Sequence, residues 1–192
     1  LVPDAVVLVA TTKALKMHGG ILKDDLKAEN VDAIVKGCKN LEKHIKNISK
    51  FGVPVVVGIN EYITDTKEEH QAIIDFCKQL GVECKISSHW SNGGKGAADL
   101  AKCVANIVDS KDSEFKTLYQ DDMPLKEKIQ HIAQSIYGAD NIIVDKKVNQ
   151  QLADFDKNGY GHYPICMAKT QYSFSTDPLL MGAPTGHDIP VR

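Results

Sequence analysis

The sequence predicts an α/β fold: a parallel sheet wound with helices on both faces, followed by a second, smaller α/β substructure. Three observations carry this reading. Apolar runs of strand length occur at residues 5–11 and 53–59, and a short strand-like stretch follows at 82–87. Stretches with apolar residues at three- and four-residue steps alternate with them, the signature of amphipathic helices. The connections have the length of crossovers, so successive strands are expected to lie parallel. A charged run at residues 109–122 (DSKDSEFKTLYQDD) reads as a connector, which divides the chain into residues 1–110 and residues 111–192.

Composition bounds the function classes. With 43% hydrophobic and 25% charged residues among 192, the chain is globular and large enough for one substantial core or two small ones. A net charge of −2 leaves no basic footprint for nucleic acid, and no Lys/Arg block points to an anionic membrane surface. The longest apolar runs are too short to span a bilayer. Five scattered cysteines without CxxC spacing read as reduced thiols in a cytosol-like compartment. Seven histidines, none spaced HxxxH or HxH, give no zinc pair. The chain starts Leu1-Val2-Pro3 directly before a strand, without a starting Met, and is expected to be an excerpt of a longer protein.

Residues 5–11 (AVVLVAT) form the first expected strand. The stretch after it, TKALKMHGG, reads as a loop in which Gly19-Gly20 supply left-handed turns. Two readings stand for its lysines: Lys13 and Lys16 are solvated, or they face an anion. Residues 28–49 follow as an amphipathic helix, with Val31, Ile34, Val35, Cys38, Leu41, Ile45 and Ile48 inward and His44 on the solvent side. Gly37 marks a close approach of this helix to the sheet.

Residues 53–59, four Val and an Ile without a polar side chain, read as a strand covered on both faces. Asn60, Glu61, Tyr62, Ile63, Thr64 and Asp65 come just past its carboxyl end, where open parallel sheets place ligand crevices. Thr64 or Asp65 is expected to cap the helix at residues 66–80, which Gly81 closes. Residues 82–87 form a short strand. The next loop, SHWSNGGKG, holds the only Trp in a setting too polar and glycine-rich for a core, and a helix at residues 97–108 follows it. In a parallel sheet the three loops gather on one edge, so Tyr62 and Trp90 would flank one crevice and could grip a flat heteroaromatic ring. The alternative packs Tyr62 on the following helix and Trp90 over the sheet edge. GGKG is not a phosphate loop, since GxxxxGK[ST] is required and Lys95 is followed by Gly96 and Ala97. Neither NKxD nor GxGxxG occurs in place.

In the second half Pro124 opens a helix that runs to about Tyr137. Residues 141–144 read as a strand, 146–155 as a helix and 164–168 as a further strand. Lys169 could pair with a carboxylate or phosphate, and Gln171 or Tyr172 could hydrogen-bond a ring or amide. Alternatively, residues 170–175 form an edge strand. His162 and His187 lie in glycine-containing turns and are assigned no role.

Taken together and in this order, ALKMHGG, NLEKHI, FGVPVVV, the N-x-aromatic-x-TDT loop, HW followed by GGKG, IYGAD, and PICMAKTQYSFS with a following DP are similar to formate–tetrahydrofolate ligases. The resemblance runs over essentially all 192 residues. It implies part of a P-loop-NTPase-like domain. The intact enzyme uses ATP and Mg2+ to activate formate as formyl phosphate, which N10 of tetrahydrofolate attacks. The resemblance makes Tyr62 and Trp90 the aromatic pair that stacks on the folate ring system, with Asn60, Ile63, Lys169, Gln171 and Tyr172 as further candidates for substrate contact. It implies small-molecule partners, a cytoplasmic protein with a mitochondrial address left open, and leaves a homo-oligomer open for the intact protein. The family's phosphate loop lies N-terminal to this region and its C-terminal part is missing, so the segment alone is expected to be inactive. Its catalytic residues are not in view. Lys13 stands where Arg is usual, Tyr62 where Phe is usual, Ile63 where Pro or Lys is common, and His187 where the family has an aromatic. The alternative is a noncatalytic pterin- or nucleotide-binding module, or a structural part of a larger synthase.

Overall fold

The computed structural model describes residues 2–168 and 172–192. The chain falls into two compact units, Leu1–Lys116 and Thr117–Arg192. In the first unit β1 (Val6–Ala10), β2 (Val55–Asn60) and β3 (Cys84–Ser87) pair in parallel in the order β1-β2-β3. They alternate with α1 (Thr12–His18), α2 (Val31–Ser49), α3 (Lys67–Gln79), the short α4 (His89–Asn92) and α5 (Ala98–Ser110).

β2 is central, and its unbroken apolar run has the physical cause expected of it. Val57 and Ile59 face a core built from Leu15 of α1, Ile34, Cys38, Leu41 and Ile45 of α2, and Ile73 and Cys77 of α3. Gly58 points the other way: a Cβ there would lie 3.0 Å from Leu100 Cδ2 of α5, so the missing side chain is the notch into which α5 packs. Helices therefore cover both faces at β2. Edge strand β1 is covered less, with Val7 and Val9 exposed on alternate positions.

Residues 12–18 are helix, which corrects the loop expected there. Thr11 caps it, its hydroxyl accepting from Ala14 N at 3.1 Å, and Leu15 is buried on its inner side. Of the glycine pair only Gly20 has left-handed backbone (φ +96°). Gly19 serves closeness instead, because a Cβ would overlap the Ala33 carbonyl oxygen of α2. Gly37 reciprocates: its Cβ would overlap the Leu15 carbonyl oxygen, so this glycine marks close packing of α2 against α1 and not against the sheet.

Lys16 is neither solvated nor open to a ligand anion; the anion it faces is an internal carboxylate. The Lys16 side chain is 1% exposed and its Nζ lies 2.9 Å from Oε1 of Glu69, which is 0% exposed. The ammonium also donates to Ala28 O at 3.0 Å. Glu69 accepts in addition from Asn30 N at 2.9 Å and Thr66 N at 3.3 Å, so both partners are hydrogen-bonded as well as paired. Thr66, and not Thr64 or Asp65, caps α3: its hydroxyl accepts from Glu69 N at 3.2 Å, and the Glu69 carboxylate closes the reciprocal capping box. At the other end Gly81 takes the left-handed position (φ +70°) after α3. His44 is half-buried and not on the solvent side; burial lowers its pKa, and the nearby His18 acts in the same direction.

In the second unit α6 (Leu125–Ile132) continues through a wider turn at Ala133–Tyr137 and stops at Gly138, φ +75°. Pro124 sits one position earlier than expected, at the cap. β4 (Asn141–Val144) leads through the capping residue Asp145 into α7 (Lys146–Lys157). β4 pairs in parallel with β5 (Asp188–Val191), a strand the sequence reading lacks. Residues 164–168 are not a strand; Ile165 N donates to the Tyr119 hydroxyl at 2.8 Å and is not engaged in a ladder. Residues 172–174 are turn and bend and Ser175 is irregular, with Phe174 and Ser175 buried, so the described part of 170–175 is not an edge strand. His187 Nε2 lies 2.9 Å from the Phe174 carbonyl, to which it donates, and so contributes a bond across this segment. Lys128 is fully buried, its ammonium donating to the carbonyls of Asp121 (2.7 Å), Gly161 (2.8 Å) and Tyr163 (3.0 Å).

Candidate functional site

Parallel pairing puts the carboxyl ends of the three strands of the first unit on one edge. Ala10 aligns with Ile59, and Asn60 with Ser87. The segments that leave this edge are the start of α1, the Glu61–Thr66 loop and the Ser88–Ala97 loop. They bring Thr12 and Lys13, Tyr62, and Trp90 to the same end of the sheet although these are far apart in the sequence. This is where open α/β sheets bind ligands.

Asp65 organises the middle loop. Its backbone N donates to Tyr62 O and its Oδ2 accepts from Tyr62 N, both at 2.9 Å, so the turn 62–65 is closed from both sides. Its Oδ1 accepts from the Thr12 hydroxyl at 2.6 Å, and its Oδ2 lies 3.2 Å from His70 Nε2. The Asp65 side chain is buried, as are Thr12 and His70. On the far side of the same imidazole, His70 Nδ1 lies 4.0 Å from Glu61 Oε1. Thr64 Oγ1 is buried without a hydrogen-bond partner among the described residues.

The consequence is a held backbone with free rings. Tyr62 is 41% exposed and carries Lys13 Nζ 4.3 Å from its ring centroid, a cation–π contact that occupies one region of the ring. Lys13 is thus at the site, in contact with an aromatic. Ile63 is 97% exposed and Asn60 is partly buried at the end of β2.

The third loop is also built, not slack. Ser88 N donates to Gly96 O at 3.0 Å, Asn92 Nδ2 donates to Ser88 Oγ at 3.0 Å, and Ser87 Oγ lies 3.0 Å from His89 Nδ1. A Cβ on Gly96 would collide with Ser88, which explains a glycine there without a phosphate. Glu61 N donates to Ser87 O at 3.1 Å and ties this loop to its neighbour. On this scaffold Trp90 is 84% exposed. It does not cover the sheet edge, and among the described residues its ring is not in contact with that of Tyr62.

Other concavities lie elsewhere. A groove of about 610 Å³ between β3 and α5 is lined by Glu83, Lys85, Asp99 and Lys102, whose charges pair with one another (Lys85–Glu83 2.8 Å, Lys102–Asp99 3.6 Å). Tyr172 lies in the second unit, on a groove of about 840 Å³ with Phe155 and Ile165 among its walls. Lys169 and Gln171 lie outside the described residues. No cluster of three His, Cys, Asp or Glu side chains among the described residues is placed to hold a metal, and no helix is long and apolar enough to cross a membrane.

Sequence reasoning missed Thr12, Asp65 and His70 as a unit, and the Lys16–Glu69 pair. The capping box was readable as Thr66-x-x-Glu69; the links from α1 to α3 join residues far apart and leave no local pattern.

Comparison with known proteins adds the family. A family model described as formate–tetrahydrofolate ligase matches residues 1–192. Curated relatives bearing that name include those of Pelagibacter ubique, 53% identical, Granulibacter bethesdensis, 57%, and Dinoroseobacter shibae, 57%. Each similarity covers 100% of this chain but only 34 to 35% of the relative, so the chain spans about a third of the length of the curated relatives it matches.

Proposed function

The chain belongs to the formate–tetrahydrofolate ligase family, and on that premise we propose that it carries the folate-stacking side of such an enzyme's active site. The observation that supports this most is the pairing of two solvent-facing aromatics, Tyr62 and Trp90, with hydrogen-bonded loops at the carboxyl edge of a parallel sheet. An exposed Trp on an ordered loop has apolar surface to bury, and a flat bicyclic ring is the ligand that buries it best. Asn60 and Ile63 flank the same edge. On the sequence signature alone, Lys169, Gln171 and Tyr172 are proposed as candidates for substrate contact.

The intact protein is proposed to join formate to tetrahydrofolate at the expense of ATP. In that reaction formyl phosphate is attacked by N10 of the folate, the C–N bond forms, phosphate leaves with the electron pair of the broken C–O bond, and the N10 proton passes to solvent. The part played here is to bind and orient the folate, which converts the attack into a step between held partners. The sequence holds no GxxxxGK[ST] phosphate loop, and no step on ATP or Mg2+ is assigned to these residues. The segment alone is proposed to bind without turnover. Free cysteines throughout the chain support a cytoplasmic location.

The test is titration of this chain with tetrahydrofolate, following the fluorescence of its single Trp, with inner-filter absorption corrected against free tryptophan. Calorimetry reads Trp90→Ala, and Tyr62→Ala is measured by both. Saturable quenching of the parent, with binding weakened about tenfold or more by either substitution, is expected for a base–aromatic stack of about 1–3 kcal/mol. Equal binding by the folded parent and both variants would refute the stacking assignment.

A further inference from the structure

Resting on the folate-stacking reading, we propose that Thr12 is a positioning residue for Tyr62, acting through the buried carboxylate of Asp65. The Tyr62 ring is exposed, yet its backbone N–H is fixed by Asp65 Oδ2 at 2.9 Å. That carboxylate has little freedom of its own, because Thr12 donates to its other oxygen at 2.6 Å and His70 Nε2 lies 3.2 Å from Oδ2. A carboxylate with a buried side chain needs donors on both oxygens, and here each comes from a different segment: α1, α3 and the loop itself. The next residue after Thr12 is Lys13, whose ammonium stands 4.3 Å from the Tyr62 ring centroid. Adjacent residues of α1 therefore act on Tyr62 twice, on its backbone through Asp65 and on its ring directly.

The first turn of α1 is itself immobilised. Gly19 and Gly37 let α1 and α2 touch backbone to backbone, and Lys16, one turn after Thr12, is locked to Glu69 at the start of α3. The position of the Tyr62 ring is thus set by the contact of α1 with α2 and α3 and not by the loop's own length. Thr12 touches no ligand in this scheme; it lowers the cost of ordering the aromatic before the ring arrives.

The experiment uses the intact ligase that contains this segment, with steady-state constants for tetrahydrofolate and for formate. Thr12→Val keeps the shape and removes the hydroxyl. The expected result is a rise of about tenfold in the tetrahydrofolate KM, the size of one lost charge-assisted hydrogen bond, with the formate KM moved less than about twofold. Thr12→Ser, which keeps the O–H, is expected to restore the parental value, and Asp65→Asn to behave like Thr12→Val. Thr12→Ala repeats the test with less crowding if the valine variant does not accumulate folded. A lowered thermal midpoint with an unchanged tetrahydrofolate KM would show a purely structural role and overturn the proposal. Tyr62→Ala is the control that separates the two readings: if it raises the tetrahydrofolate KM while the folded Thr12 variants do not, the stacking reading stands and this proposal falls. If Tyr62→Ala leaves that KM unchanged, both fall.

Discussion

Replacing Lys16 by Met should be among the most damaging single changes in the first unit. Met has nearly the length of the lysine stem and fills its space, so what is lost is the charge. Glu69, 0% exposed, would keep its bonds from Asn30 N and Thr66 N but would lose the counter-charge at 2.9 Å, and Ala28 O would lose its donor. Breaking a buried pair from one side costs about 3–5 kcal/mol, a large fraction of the roughly 5–15 kcal/mol that holds an ordinary domain. In urea, with a slope of about 2 kcal/mol per molar, the unfolding midpoint should fall by roughly 2 M. The double variant Lys16→Met with Glu69→Gln should recover at least half of the loss, because a neutral amide keeps an acceptor for Asn30 N without an unpaired charge. Far-UV circular dichroism against urea on the 192-residue chain and both variants measures this. A Lys16→Met midpoint within about 0.5 M of the parent, set against the same slope, would refute the reasoning. So would a double variant no better than the single one.

Gly37→Ala should destabilise by about 1–3 kcal/mol through overpacking against Leu15 O, although glycine to alanine inside a helix ordinarily stabilises by roughly 0.5–1 kcal/mol; a raised thermal midpoint would contradict the backbone contact. Burial pushes the Cys38 thiol up to about 12, with Cys77 adding to the shift, and Cys84 and Cys103 are raised as well; Cys77 is lowered by its hydrogen bond with Cys84 but is fully buried, while Cys166 is exposed. A disulfide-exchange reagent at neutral pH should therefore find one fast thiol in the folded chain and all five in denaturant; a second fast thiol would be against this packing. His44 and His18 have pKa values lowered by burial, so the unfolded chain takes up their protons first. Their contribution is fully present above the ordinary value of 6.5 and is lost as pH falls below it. His44→Leu should flatten the fall in stability between pH 7 and pH 5, and an unchanged slope would exclude His44 as its source.

What was legible in the sequence was whatever repeats locally. β1 and β2 stood out as unbroken apolar runs, and α2 as a long stripe at three- and four-residue steps. α1 was not legible: seven residues with two lysines give too little period, and its inner side includes a lysine whose partner sits on α3. β5 hid behind its shortness and Pro190, while residues 164–168, more apolar in appearance, bond to a tyrosine hydroxyl and form no ladder. At the candidate site the exposed aromatics were visible as residues out of place. The carboxylate beneath them was not, because Asp65 before a helix looks like a cap, and its bonds to Tyr62 N and Thr12 leave no local pattern.

The buried Lys128 bears on how the second unit can change. Three carbonyls converging on one ammonium do what a small structural cation does elsewhere, but this cation is tied to α6 by its own side chain. It cannot be chelated, exchanged or diluted away, and its occupancy does not depend on ion concentration in the surroundings. It also cannot be replaced by arginine without loss, since a flat guanidinium fork does not present three hydrogens to a common cup. Chemical capping of that one amine, by acylation during folding, would remove the charge and leave three inward-facing carbonyls with nothing to hold.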